Sequence, residues 1–294
     1  MNFILALAGI LCLVSGIQAV TLNDTINGNI TIALTNFNAS VSTINATINT
    51  ADTNTLKAWT NWGNVILSNL TTLYNRFQNY PNIGIQSLAT IISSLNSSLT
   101  SPPMLLGSDF NLRGELYPNI YNQIQESGDV LLDAAANMST YVICTNDFAA
   151  NCLKKYGANL TASPLLLTRY RDCVIAENSR IALIGTNMSS QINASLANVQ
   201  TYFDLLKICN VPTAAALNAT WPQLVPSVQC LNTFIGQIGG ITTLNTYVSD
   251  NVRYPQTQLV NFRTKRCASL VQLDIEDTVD RVKASFYSCL STGK

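Results

Sequence analysis

The chain has 294 residues, with 16 basic and 16 acidic side chains and no histidine. Hydrophobic residues make up 47% of it and charged residues 11%, which excludes a disordered chain and offers no basic surface for nucleic acid or an anionic membrane. Without imidazole there is no Ser-His-Asp or Cys-His nucleophile, no imidazole-ligated zinc and no ordinary near-neutral general base, a strong argument against most hydrolase classes.

Residues Phe3 to Val14 (FILALAGILCLV) form an apolar run followed by small and polar residues up to Ala19. The run is shorter than the roughly 20 residues needed to span a bilayer, and its flanks predict a signal peptide over residues 1–19, cleaved after Ala19. The last ten residues carry no hydrophobic tail of the lipid-anchor type. The mature chain is therefore expected to be secreted, extracellular and without a membrane span.

Asn-x-Ser/Thr triplets begin at Asn23, Asn29, Asn38, Asn45, Asn69, Asn96, Asn137, Asn159, Asn187, Asn193 and Asn218, none with proline in the middle. In a secreted chain each is a competent N-glycan acceptor, and each used site marks surface. Asn, Thr and Ser occupy the polar positions that Lys and Glu usually fill. Hydrated glycans would then supply the solubility that zero net charge does not.

Up to residue 110 only Asp24, Asp52, Lys57, Arg76 and Asp109 are charged, and Ser101-Pro102-Pro103-Met104-Leu105-Leu106-Gly107 reads as a linker. This divides the chain into an Asn/Thr/Ser-rich glycosylated region, 20–107, and a cysteine-containing domain, 108–294. In the first region Ile30, Leu34, Phe37, Val41, Ile44 and Ile48 follow a 4-3-4-3-4 spacing, and similar runs predict three helices near 24–52, 56–79 and 84–100. Asn and Thr are mediocre helix formers, so these helices need packing partners. Asn38 and Asn45 take positions beside the seam, where glycans would obstruct a two-stranded coiled coil; the seam is expected to close within its own chain. Trp59 and Trp62 read as core.

Beyond the linker, apolar spacing predicts one or two helices through 113–144, a short helix near 147–157, and one long helix over 164–209 opened by Ser163-Pro164. A helix over about 227–238 ends at Gly239-Gly240, and a last helix follows Pro255 with Val271, Ile275, Val279, Val282 and Phe286 on its apolar face. The fold class is all-α: long amphipathic helices in an extended bundle stapled by disulfides.

Cys144, Cys152, Cys173, Cys209, Cys230, Cys267 and Cys289 follow the leader, which itself holds Cys12. With no CxxC pair they read as disulfides rather than metal ligands. Cys173 and Cys209 lie 36 residues apart on the predicted long helix, roughly 54 Å, so they cannot pair there. Cys209–Cys230 across the proline-rich turn is the favoured bond. Cys144, Cys152, Cys173 and Cys289 can converge at the opposite end if the last helix runs antiparallel, which leaves Cys267, mid-helix, as the odd cysteine. Two short runs echo each other: Arg169-x-Arg171-x-Cys173 and Arg263-x-Lys265-x-Cys267.

No catalytic, metal or cofactor site emerges. Asp274, Glu276, Asp277 and Asp280 lack the spacing and glycine of a calcium loop and, with Arg281 and Lys283 beside them, read as a solvated helix face. Gly236-Gln-Ile-Gly239-Gly240 lacks the Lys-Ser/Thr of a phosphate loop. A histidine-free glycosidase would need a placed carboxylate pair, and none stands out.

The run Cys152-Leu-Lys-Lys-Tyr156, then Tyr170-Arg-Asp-Cys173, Ala176-Glu177 and Cys209 resembles the tsetse EP protein domain family over about residues 140–290. The resemblance implies a secreted insect protein with helical, cysteine-punctuated domains, some members being associated with the midgut. It implies no catalytic residue. The Glu-Pro repeats of that family are absent. The resulting expectation is a non-enzymatic extracellular glycoprotein with an interaction or protective role, its partner an extracellular protein or glycan. The alternative is a helical-bundle carrier of an apolar ligand.

Overall fold

The computed structural model describes residues 2–78, 85–100, 102–103, 105–110, 116–142, 147–162, 164–205, 225–238, 240 and 243–293. The class is all-α, with no strand among the described residues. In chain order the helices are α1 (Asn2–Phe77), α2 (Ile85–Thr100), α3 (Leu106–Asp109), α4 (Leu116–Thr140), α5 (Asp147–Thr161), α6 (Pro164–Ile175), α7 (Asn178–Leu205), α8 (Val225–Ile238), α9 (Leu244–Tyr247) and α10 (Tyr254–Thr292). A π-helical segment, Val248–Arg253, joins α9 to α10.

Three boundaries differ from the sequence expectation. The helices expected at 24–52 and 56–79 are one helix, α1, because the polar run between them is used for packing rather than for a turn. Asp52 accepts hydrogen bonds from the Leu106 and Gly107 amides at 2.7 and 3.0 Å, capping α3; Thr55 is buried and shares a hydrogen bond with Ser189 at 3.5 Å. The helix expected over 164–209 is two, α6 and α7, broken at Ala176-Glu177. Upstream of Pro255 helical structure already runs from Leu244. A proline clashes with the carbonyl four residues before it, and the wider π turn directly N-terminal to Pro255 accommodates that.

How a chain this rich in Thr and Ser stays helical is visible in its hydroxyls. Thr25, Thr31, Thr35, Ser40, Thr43, Thr53 and Thr72 each donate to the carbonyl four residues earlier, at 2.7 to 3.1 Å. Back-bonding of this kind satisfies the hydroxyl without breaking the helix.

The chain folds into two units, each drawing on segments before and after residue 107: Met1–Ala46, Asn111–Ser179 and Val260–Lys294 in the first, Thr47–Phe110 and Arg180–Leu259 in the second. In the first unit Ile26, Phe37 and Ile44 of α1, Ile120, Leu131 and Met138 of α4, Tyr170 of α6 and Ile275 and Phe286 of α10 are buried. α4 comes close to α1 where Gly128 faces the Ile30 side chain, and α5 does so where Gly157 faces Leu22. The rings of Phe37 and Tyr117 lie 6.3 Å apart. In the second unit Trp59 and Trp62 are buried and stacked with centroids 4.7 Å apart, and the Trp62 indole donates to Ser195 at 3.3 Å. They are core residues. Gly185 of α7 faces Ala51 of α1, Gly63 of α1 faces Leu99 of α2, and the Phe203 and Phe234 rings join α7 to α8 at 5.5 Å.

Two disulfides staple the first unit: Cys152–Cys289, with Cα atoms 5.9 Å apart, and Cys173–Cys267, at 5.6 Å. The second corrects the expectation that Cys267 stands alone. α6 runs antiparallel to α10, which sets Cys173 beside Cys267 in the middle of the last helix rather than at its end. Cys230 is also disulfide-bonded; Cys144 and Cys209, its expected partner, lie outside the described residues.

Candidate interaction surface

α10 is the best-anchored helix of the first unit. Its two cysteines are 22 residues apart in sequence, roughly 33 Å of helix, and fasten it to α6 and α5 respectively. Around Cys173–Cys267 the two helices run antiparallel with ion pairs on both sides. Arg169 of α6 reaches Asp274 at 2.7 Å, and Arg263 of α10 holds Glu177 in a fork of 2.9, 3.0 and 3.2 Å. The two Arg-x-Arg/Lys-x-Cys runs thus face each other across the disulfide, each arginine reaching an acid on the opposite strand of chain. Glu177 is buried, its side chain 6% exposed, whereas Arg169 and Asp274 are both open to solvent. The hydrogen bonds from Arg263 to Glu177 raise the guanidinium pKa above its ordinary value. Glu177 sits in the turn that breaks the predicted long helix, where the apolar spacing alone places it on the inward stripe; its partner is 86 residues away.

A cleft of about 660 Å³ opens between α6 and α10, lined by Leu166, Arg169, Asp274, Asp277, Thr278, Asp280 and Arg281. Three of its charged side chains are engaged locally. Asp274 binds Arg169, and Arg281 donates to the Thr278 hydroxyl at 3.2 Å and to the Asp277 carbonyl at 3.4 Å. Among the described residues no group of three His, Cys, Asp or Glu is arranged to hold a metal ion, and no described helix is long and apolar enough to cross a membrane.

Of the described sequon asparagines none is buried. Asn38, Asn96, Asn137, Asn159 and Asn193 are exposed, while Asn23, Asn29, Asn45, Asn69 and Asn187 are half-buried; Asn218 lies outside the described residues. The helical setting explains part of this pattern. Residues i and i+2 point about 200° apart on a helix, so an inward hydroxyl turns its asparagine outward. Ser40 and Ser139 are buried below Asn38 and Asn137. Ser189 and Ser195, below Asn187 and Asn193, hydrogen-bond to Thr55 and Trp62. Asn29 is different: its amide nitrogen, the atom a glycan would occupy, donates to the Thr161 carbonyl at 3.4 Å.

One surface is not evident from the sequence pattern. Phe262, Leu270 and Leu273 of α10 are more than half exposed. They are out of phase with the buried Val271, Ile275, Val279 and Val282, and the signal for them is a second apolar period along α10. No family model, curated protein or solved structure matches the chain.

Proposed function

We propose that the chain is a secreted, N-glycosylated extracellular protein with a non-catalytic interaction or protective role. The observation that carries this reading is the placement of the sequons: all ten described acceptor asparagines lie off the core, on five different helices. Disulfides joining positions 94 and 137 residues apart suit an oxidising compartment. The resemblance to the tsetse EP family adds an insect gut lumen as the setting, where a glycan coat and covalent staples resist proteolysis.

A second reading, a carrier of an apolar ligand, is favoured by one feature of the second unit. A groove of about 440 Å³ lies between α1 and α2, lined by Leu67, Tyr74, Ala89 and Ile92 among others, a size that suits a small apolar molecule.

Expression in an insect secretory host, followed by N-terminal sequencing and glycopeptide mapping, tests the first reading. The expected product begins at Val20 and carries glycans on the exposed asparagines. An unprocessed, unglycosylated intracellular product would overturn it. Native mass spectrometry of the deglycosylated protein distinguishes the two roles, since a carrier retains a co-purified apolar ligand.

A further inference from the structure

α10 presents an exposed seam opposite its buried one. Val260, Ala268, Val271, Ile275, Val279, Val282 and Phe286 face the core. At 100° per residue, Phe262, Arg266, Leu270, Leu273, Asp277 and Asp280 share an arc of about 80° on the other side, and every one of them is exposed. From Arg266 onward the spacing is 4-3-4-3, the period of a two-helix seam. Two leucines sit at its centre, one arginine lies N-terminal to them, and two aspartates lie C-terminal.

We infer that this face docks on the same face of a second copy of the chain, with the two α10 helices antiparallel. The charge order selects this occupant. Setting aside Arg263 and Asp274, which pair with Glu177 and Arg169, the helix carries Lys265 and Arg266 and no acid between Phe262 and Leu273, and Glu276, Asp277 and Asp280 and no base between Asp274 and Asp280. A parallel pair would set like charges together. An antiparallel pair about a two-fold axis between Val271 and Gln272 places Leu270 against Leu273 of the second copy twice, and Arg266 against Asp277 of the second copy twice. Helix dipoles then oppose, which is also favourable. Such an interface is isologous and closes at two. Two further features keep the face available. The disulfides to α5 and α6 hold α10 in place, and Tyr254–Thr292 contains no Asn-x-Ser/Thr triplet, in contrast to the sequons flanking the α1 seam. The geometry stands whether or not the sequons are used.

The test is the mass of the intact secreted chain by sedimentation velocity, from low micromolar to about 100 μM, where interfaces of modest affinity are populated. The wild type is expected to shift from monomer to dimer. Arg266→Asp alone and Asp277→Arg alone set like charges in register and should each weaken the dimer at least tenfold. The double variant Arg266→Asp/Asp277→Arg restores the pairing and should recover most of the affinity. Both positions of change are exposed, and circular dichroism checks that the helices persist. A wild type that stays monomeric, a dimer indifferent to both single reversals, or a double variant no better than the singles overturns the inference.

Discussion

Cys173 and Cys267 are bonded across two antiparallel helices, and each has an arginine four residues before it that reaches an acid on the opposite side of the bond. The bond closes a loop of 94 residues, and the Cys152–Cys289 bond one of 137. Cross-links over loops this long constrain the unfolded chain strongly. The double variant Cys173→Ala/Cys267→Ala should lose about 2–4 kcal/mol of unfolding free energy, read as a lower urea midpoint, with a slope that rises because the unfolded chain loses a constraint. A midpoint equal to wild type would mean that packing alone holds α6 to α10.

The two ion pairs beside that bond should behave differently. Arg169 and Asp274 are exposed, so Asp274→Asn is expected to cost less than about 1 kcal/mol and to lose even that in high salt. Glu177 is buried with its charge held by Arg263. Removing the cation in Arg263→Met takes the forked partner from a largely buried carboxylate and is expected to cost more than Asp274→Asn, at about 1–3 kcal/mol. The pair variant Glu177→Gln/Arg263→Met should recover a large part of this, and a double-mutant cycle in urea measures how much. Equal losses for the two sites would contradict the difference in burial.

The all-α class and several helix limits are legible in the sequence because they rest on local signals. Pro164 opens α6, and α8 stops at Ile238 just before Gly239-Gly240, as chain chemistry dictates. What escapes depends on distant partners. The turn at Ala176-Glu177 contains neither glycine nor proline; it is fixed by Arg263. The run around Asp52 and Thr55 looks like a loop until α3 and Ser189 are placed against it. The α1 seam also shifts. The apolar spacing puts Ile30, Leu34 and Val41 on it, but they are half-buried, and the buried line passes through Ala33, Ser40 and Ala51. Small residues allow neighbouring helices to approach closely, and a hydropathy period does not register them. At the candidate surface the sequons and the solvated acids of α10 are readable. The outward leucines are hidden behind the stronger inward period.

Close helix approach gives a paired prediction at two glycines. A Cβ at Gly185 would meet the Cβ and the backbone Cα of Ala51, neither of which can rotate away. Gly185→Ala should therefore force α7 off α1 and cost about 1–3 kcal/mol despite the better helix propensity of alanine. At Gly63 the clash is with the branched end of Leu99, which has other rotamers. Gly63→Ala is expected to cost less, and combining it with Leu99→Ala should relieve the overlap. Thermal unfolding of the three variants settles the order, and a Gly185→Ala protein as stable as wild type would contradict the contact.

The interior tyrosines are expected to weaken the fold at alkaline pH. Tyr170 is fully buried, and its hydroxyl lies 2.9 Å from the Ser127 hydroxyl. Burial pushes its pKa up to about 12, the Ser127 hydrogen bond pulls it partly back, and the Glu126 and Glu276 charges add to the rise. Tyr117, buried in the same unit, is also raised by burial. An unfolded tyrosine ionises near about 10. Below that pH both states keep their phenolic protons and the tyrosines contribute their full stability. As pH rises from about 10 towards about 12 the unfolded chain releases protons that the folded chain retains, so unfolding becomes steadily easier. The midpoint of thermal unfolding should accordingly fall across this window, with no comparable change between about pH 6 and 9, where an imidazole would otherwise titrate. Tyr117→Phe/Tyr170→Phe should flatten the alkaline fall while lowering stability at neutral pH through loss of the Ser127 bond. Ultraviolet titration gives a second readout: the absorbance of these two phenolates should appear only with unfolding. A double variant with the wild-type alkaline slope would show that the fall arises elsewhere.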